Sequence, residues 1–175
     1  AILLACLVPL LITPHLPLSD LPNHLARQFL LRDWATSPAA QTFYSFEWRL
    51  VPNLALELFV VGARGLVGVE MAVRLFCIAA VVLLFAGTRT INLAVSEGRS
   101  RIYRAVPLLC YGGPFQFGFL SYCFGIGLCL LLFGLYLRWR TRSPAFVVPA
   151  FLAGSVALLL CHLTAFGLFA IAVGA

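Results

Sequence analysis

The sequence predicts an all-α fold, a polytopic transmembrane helical bundle with surface helices in a long first outer loop. Three observations lead there. First, 62% of the 175 residues are apolar and only 10% are charged, against about 45–50% and about 25% in ordinary globular chains. Lipid must therefore be the solvent for most of the chain. Second, the apolar stretches are long and unbroken, as at 71–86 and 124–137. Helices and barrel strands both satisfy their backbone groups internally, but barrel strands alternate over about ten residues, so helices are selected.

Third, the charge is confined. Every cation is an arginine, and the net charge is +6. Arg27, Arg32, Arg49, Arg64 and Arg74 are balanced by Asp20, Asp33, Glu47, Glu57 and Glu70. The whole excess lies in Arg89, Arg99, Arg101 and Arg104, opposed only by Glu97, and in Arg138, Arg140 and Arg142. Two short arginine-rich turns between apolar runs fit the positive-inside rule. They do not make the basic face that a nucleic-acid partner requires, so that class is excluded.

This charge distribution orders the elements of one transmembrane domain, 1–175, which is expected to be cut at both ends. Residues 1–14 read as the remainder of a first outward span. They lack the basic leader and A-x-A site of a signal peptide. Residues 15–68 form the outer loop. Ser19-Asp20-Leu21-Pro22 starts a helix with a polar cap and an early proline, running to about residue 35 and ended by Thr36-Ser37-Pro38. Alternation in 46–50 suggests a short extended segment, and Pro52-Asn53 opens a helix over 54–66. Trp34, Phe43, Tyr44, Phe46 and Trp48 fit an interfacial aromatic belt, so the loop is expected to lie along the membrane.

A second span, about 69–94, returns to the cytoplasmic turn 96–104. Residues 102–112 form a short outward arm, broken at Gly112-Gly113-Pro114, and 119–137 the return arm. On the return arm Gly118, Ser121, Gly125 and Cys129 share a face, with Gly127 and Gly134 opposite. Small residues let helix backbones approach in lipid, so this arm is expected between two neighbours. A fifth helix from about residue 145 brings His162 near the outer surface. The six cysteines sit in apolar runs without a CxxC pair and read as small packing residues.

Asp20, His24 and Arg27 are spaced four and three apart and share one helix face. Two readings stand: a carboxylate and imidazole acting as general base with Arg27 holding a phosphate, or a cap with two side chains facing headgroups. Arg74 has two as well, an ion pair with Glu70 or a clamp on a lipid phosphate. Glu57 and Arg64, two turns apart, read as a solvated face. His162 is expected on the same side as Asp20 and His24. Two His and one Asp are residue types able to hold a divalent metal, but no HExxH or similar spacing supports one, and no cofactor motif occurs.

The order of these features resembles the C-type glycosyltransferase superfamily. The resemblance rests on the first-loop acid in Pro17-Leu18-Ser19-Asp20-Leu21-Pro22-Asn23-His24, the long outer loop and the arginine-capped short spans. It also rests on Ala105-Val106-Pro107-Leu108 and the aromatic turn Gly113-Pro114-Phe115-Gln116-Phe117-Gly118. Trp48-Arg49-Leu50-Val51-Pro52-Asn53-Leu54-Ala55 and Cys161-His162-Leu163-Thr164-Ala165 are similar to segments of bacterial membrane proteins with this layout. A single acid, Asp20, stands where many members have an adjacent pair. The resemblance implies an inner-membrane protein with loop 15–68 in the periplasm and a polyprenyl-phosphate-linked sugar as donor. It implies Asp20 as base or metal ligand. On the enzyme reading, Asp20 with His24 beside it deprotonates the acceptor and Arg27 or Arg74 neutralises the phosphate leaving group. The alternative class is a non-enzymatic transporter or assembly component.

Overall fold

The computed structural model describes residues 2–47 and 49–175. Among them there are helices and no strand: α1 (Ile2–Ile12), α2 (Leu21–Asp33), α3 (Pro38–Phe43), α4 (Ala55–Val67), α5 (Val69–Val95), α6 (Gly113–Gln116), α7 (Leu120–Trp139), α8 (Pro144–Cys161) and α9 (Leu163–Gly174). Three of these, α5, α7 and α8, are long and apolar enough to cross a membrane. At about 1.5 Å per residue they reach about 40, 30 and 27 Å, against a hydrocarbon core of about 30 Å. The chain is a helical membrane protein, as its composition requires. Ala1, at the head of the first apolar run, and Trp48, assigned above to the aromatic belt and the segment 46–50, lie outside the described residues. The described residues of that segment form no regular structure.

The bundle is organised on α5 and α7, which touch at backbone distance. A Cβ on Gly127 would fall 2.8 Å from the Leu83 Cβ, one on Gly134 2.8 Å from the Ile91 nitrogen, and one on Gly87 2.6 Å from the Leu131 nitrogen. Phe76 stacks on Phe124 with ring centres 4.5 Å apart. The paired positions rise together along both helices, so α5 and α7 run parallel. The arginine-rich segments that follow them therefore lie at the same end of the bundle. On the other side of α7, a Cβ at Gly125 would meet the Ala165 Cβ at 3.1 Å and the Cys161 Cβ at 3.4 Å. The sandwich expected from the two glycine faces is what forms.

Parallel α5 and α7 require the chain between them to travel back along the bundle. The arm expected to be α-helical over 102–112 is instead two 3₁₀ turns, Ile102–Arg104 and Val106–Tyr111. Pro107 has no N–H and its ring conflicts with an α-helical carbonyl four residues earlier. At about 2.0 Å per residue the 3₁₀ form covers more distance with the same chain.

Segment 15–68 also contains a helix that was not expected. After the 3₁₀ turn Trp34–Thr36, the Ser37 hydroxyl accepts from the Ala40 N–H at 3.2 Å and Pro38 occupies the first turn of α3. Asn53, with φ 69°, turns the chain into α4, and Gly68, with φ 79°, separates α4 from α5. Leu56 and Val60 of α4 pack with Val69, Val73 and Phe76 of α5. Phe43, Leu50 and Leu66 remain exposed. All six cysteines are free thiols.

Candidate functional site

The segment leading into α2 is tied to the turn leading into α7. The Ser19 N–H donates to the Gln116 carbonyl at 2.9 Å and the Asp20 N–H to the Phe117 carbonyl at 3.2 Å. Gly118 has φ +90°, and a Cβ there would lie 2.8 Å from the Asp20 Cβ. Only glycine meets both the dihedral and the close approach. The Gly118 carbonyl lies 2.9 Å from His24 Nε2. A carbonyl only accepts, so this nitrogen carries the proton.

The Asp20 carboxylate is held on both oxygens. Its Oδ2 is 3.4 Å from the same His24 Nε2, and its Oδ1 accepts from Asn23 Nδ2 at 2.7 Å. Asp20 stands at the N-cap of α2, yet its side chain makes no capping bond to the backbone. Of the two readings left open, the backbone-cap arrangement is therefore not the one adopted. One turn on, Arg27 Nη1 lies 3.2 Å from Glu57 Oε1, with Arg27 more than half exposed and the Glu57 side chain 5% exposed.

His162 reaches this site through a helix break. Helix α8 stops at Cys161, and His162 is extended, with φ −167° and ψ 131°. Its Nδ1 accepts the Thr164 N–H at 3.2 Å and so caps α9. In a continuous helix that N–H would go to the Leu160 carbonyl. This carbonyl instead accepts the Leu54 N–H, at 2.9 Å, from the segment that precedes α4. With Nδ1 as acceptor the ring proton is on Nε2. Burial pushes the His162 imidazolium below the ordinary imidazole range, so the ring is neutral near pH 7. Tyr122 packs edge-on against it, with ring centres 5.2 Å apart.

These side chains line one cavity of about 520 Å³. Asp20, His24, Arg27 and His162 are all in its wall, with Asn53, Glu57 and Tyr122, while Leu56, Phe119 and Leu120 supply apolar surface. It lies at the start of α7, the end of the bundle away from the arginine-rich turns. An oriented carboxylate beside an imidazole, with a guanidinium one turn away, can take up a proton and hold an anion within the same space.

Arg74 is not part of this cavity. It neither pairs with Glu70 nor stands free for a phosphate. Its Nη1 donates to the Thr13 carbonyl at 2.8 Å and to that of Leu10, and its Nη2 to the Pro14 carbonyl at 2.7 Å. The cause is legible in the chain. The carbonyls of Leu10 and Thr13 would take the N–H groups four residues on, but those positions are Pro14 and Pro17, which have none. Arg74 replaces the missing donors at the end of α1.

Glu57 was missed as a site residue. Paired by spacing with Arg64, it read as a solvated face. It is instead 3% exposed, between buried Leu56 and Val60. The signal was an acid alone in the apolar run 54–61, since an acid at that position is either paired or expensive.

No group of three or more His, Cys, Asp or Glu side chains comes together as a metal-ligand set among the described residues. Asp20, His24, Glu57 and His162 share the wall without converging as a ligand set for a divalent ion. Compared with known proteins, the chain matches no family model, no curated protein and no solved structure.

Proposed function

We propose that the cavity is the donor site of a membrane glycosyltransferase-like protein, which transfers a sugar from a lipid-phosphate donor at the outer, periplasmic face of a bacterial inner membrane. The observation that carries this reading is the convergence of Asp20, His24, Arg27 and His162, from α2 and the α8–α9 break, on one cavity at the end of the bundle opposite the arginine-rich turns.

In the reaction, the acceptor hydroxyl gives its proton to Asp20 and attacks the anomeric carbon. The bond from that carbon to the phosphate oxygen breaks, and the lipid phosphate leaves with the electron pair. Arg27 meets the charge that develops on the phosphate. Arg74 has no part in this step, because its guanidinium holds the end of α1. His24 donates to the Gly118 carbonyl and steadies Asp20, and His162 offers its Nε2–H to the cavity. The resemblance to the C-type glycosyltransferase superfamily supports the choice of donor. The test is turnover by the purified protein in lipid vesicles, with a polyprenyl-phosphate-linked sugar and a hydroxyl acceptor. Release of polyprenyl phosphate coupled to glycosylated acceptor is expected, and its absence across donors contradicts the reading.

A further inference from the structure

Glu57 is the most deeply buried charged group at the cavity, and only one of its two carboxylate oxygens is matched. Oε1 faces Arg27 Nη1 at 3.2 Å. Oε2 is buried and has no hydrogen-bond partner, although the residue lines the cavity. Buried carboxylate oxygens are costly to leave without donors. We infer that Glu57 Oε2 is the acceptor for a hydroxyl of a neutral polyhydroxylated group, the sugar moiety of the ligand, so that Glu57 reads the sugar while Arg27 holds the phosphate.

Charge selects this class of donor. A cationic ligand group at Oε2 would sit within a few ångströms of the Arg27 guanidinium that already neutralises the same carboxylate, and like charges at that range repel. An anionic group would meet the carboxylate itself. A neutral hydroxyl supplies the missing hydrogen bond and leaves the Arg27–Glu57 pair in place. The neighbouring groups fit the same ligand. Asn53 adds an amide and His162 its Nε2–H, while Tyr122 and Phe119 offer aromatic surface along the cavity wall.

The inference rests on the donor reading above in taking a lipid-linked sugar as ligand, but it is tested by binding and not by transfer. Polyprenyl-phosphate glucose and polyprenyl phosphate without sugar are titrated against the whole protein in nanodiscs. Glu57→Gln should weaken the sugar-bearing lipid relative to the sugar-free lipid about 10- to 100-fold, the scale of a hydrogen bond to a charged group, any effect passed on through the Arg27 pair being common to both lipids. Arg27→Gln should weaken both lipids equally. If Glu57→Gln fails to fold, Glu57→Asp withdraws the same oxygens by one methylene and should show the same sugar-selective loss. An equal change in both lipids, no effect on either, or wild-type protein that binds neither overturns the inference. Sugar-selective loss in a protein that transfers nothing supports it and contradicts the transferase reading alone.

Discussion

Gly118→Ala is the substitution on which the geometry of the site bears hardest. The residue has φ +90°, and the added Cβ would meet three atoms of Asp20: Cβ at 2.8 Å, the nitrogen at 3.1 Å and Cα at 3.2 Å. Ordinary carbon contacts lie at about 3.5–4.0 Å, so Asp20 must retreat by roughly 1 Å at its backbone. It cannot do so freely, since its N–H is bonded to the Phe117 carbonyl at 3.2 Å. The positive φ costs about 1–2 kcal/mol for an L-residue, and the forced repacking adds about 1–3 kcal/mol. In a chain of this size each 1 kcal/mol lowers Tm by about 2–4 °C, so a fall of roughly 4–20 °C is expected. The same retreat separates Asp20 from His24, now 3.4 Å apart, and under the proposed reaction a displacement of about 1 Å in the proton acceptor should lower turnover about 100-fold. Thermal unfolding followed by circular dichroism, with turnover measured on the same preparation, checks both. A Tm within about 1 °C of wild type would refute the close approach, since even the smallest shift expected is about 4 °C.

Arg74→Ala removes the donors to the carbonyls that Pro14 and Pro17 leave unpaired, and should destabilise the protein by about 2–4 kcal/mol in a denaturant titration, while leaving polyprenyl-phosphate affinity unchanged. Protonation of His162 at Nδ1 forfeits the α9 cap, and burial lowers its folded-state pKa. The unfolded chain therefore binds the extra proton more readily, and stability is full above the ordinary imidazole value of about 6.5 and is lost as pH falls through it toward the lower folded value. The Tm difference between pH 7.5 and pH 5 should shrink in His162→Asn, which keeps a capping acceptor but does not titrate. A thiol introduced at Thr36 should react with an impermeant reagent from outside the cell and one at Thr141 should not, and the reverse pattern would invert the topology.

How much of this could be read in the chain depended on whether the controlling interaction was local. The boundaries of α5 and α7 followed from apolar run length, and the two glycine faces of α7 announced two packing partners. Asp20, His24 and Arg27 were legible as a group because one helix presents them. His162 could be placed near them because helix length and charge asymmetry set its depth. Arg74 was misread because its partners are carbonyls 60 or more residues away, and nothing near it in sequence records that Pro14 and Pro17 orphan them. Glu57 was missed for a related reason. Spacing matched it to Arg64 on its own helix, whereas the pair that forms is with Arg27 of α2. The 102–111 arm kept its direction but not its helix type, since Pro107 marks where an α-helix fails without saying what replaces it.

The central claim is that Asp20 is the proton acceptor of a transfer reaction, and Asp20→Asn tests it most directly. The Asp20 side chain makes no capping bond, and asparagine is an equally good residue at a helix N-cap, so folding should be untouched. The amide keeps the shape and cannot take up a proton. Measured as release of polyprenyl phosphate from a polyprenyl-phosphate-linked sugar in vesicles, turnover should fall about 100- to 10,000-fold, the scale of general-base catalysis, at unchanged Tm. Turnover retained in Asp20→Asn would contradict the account.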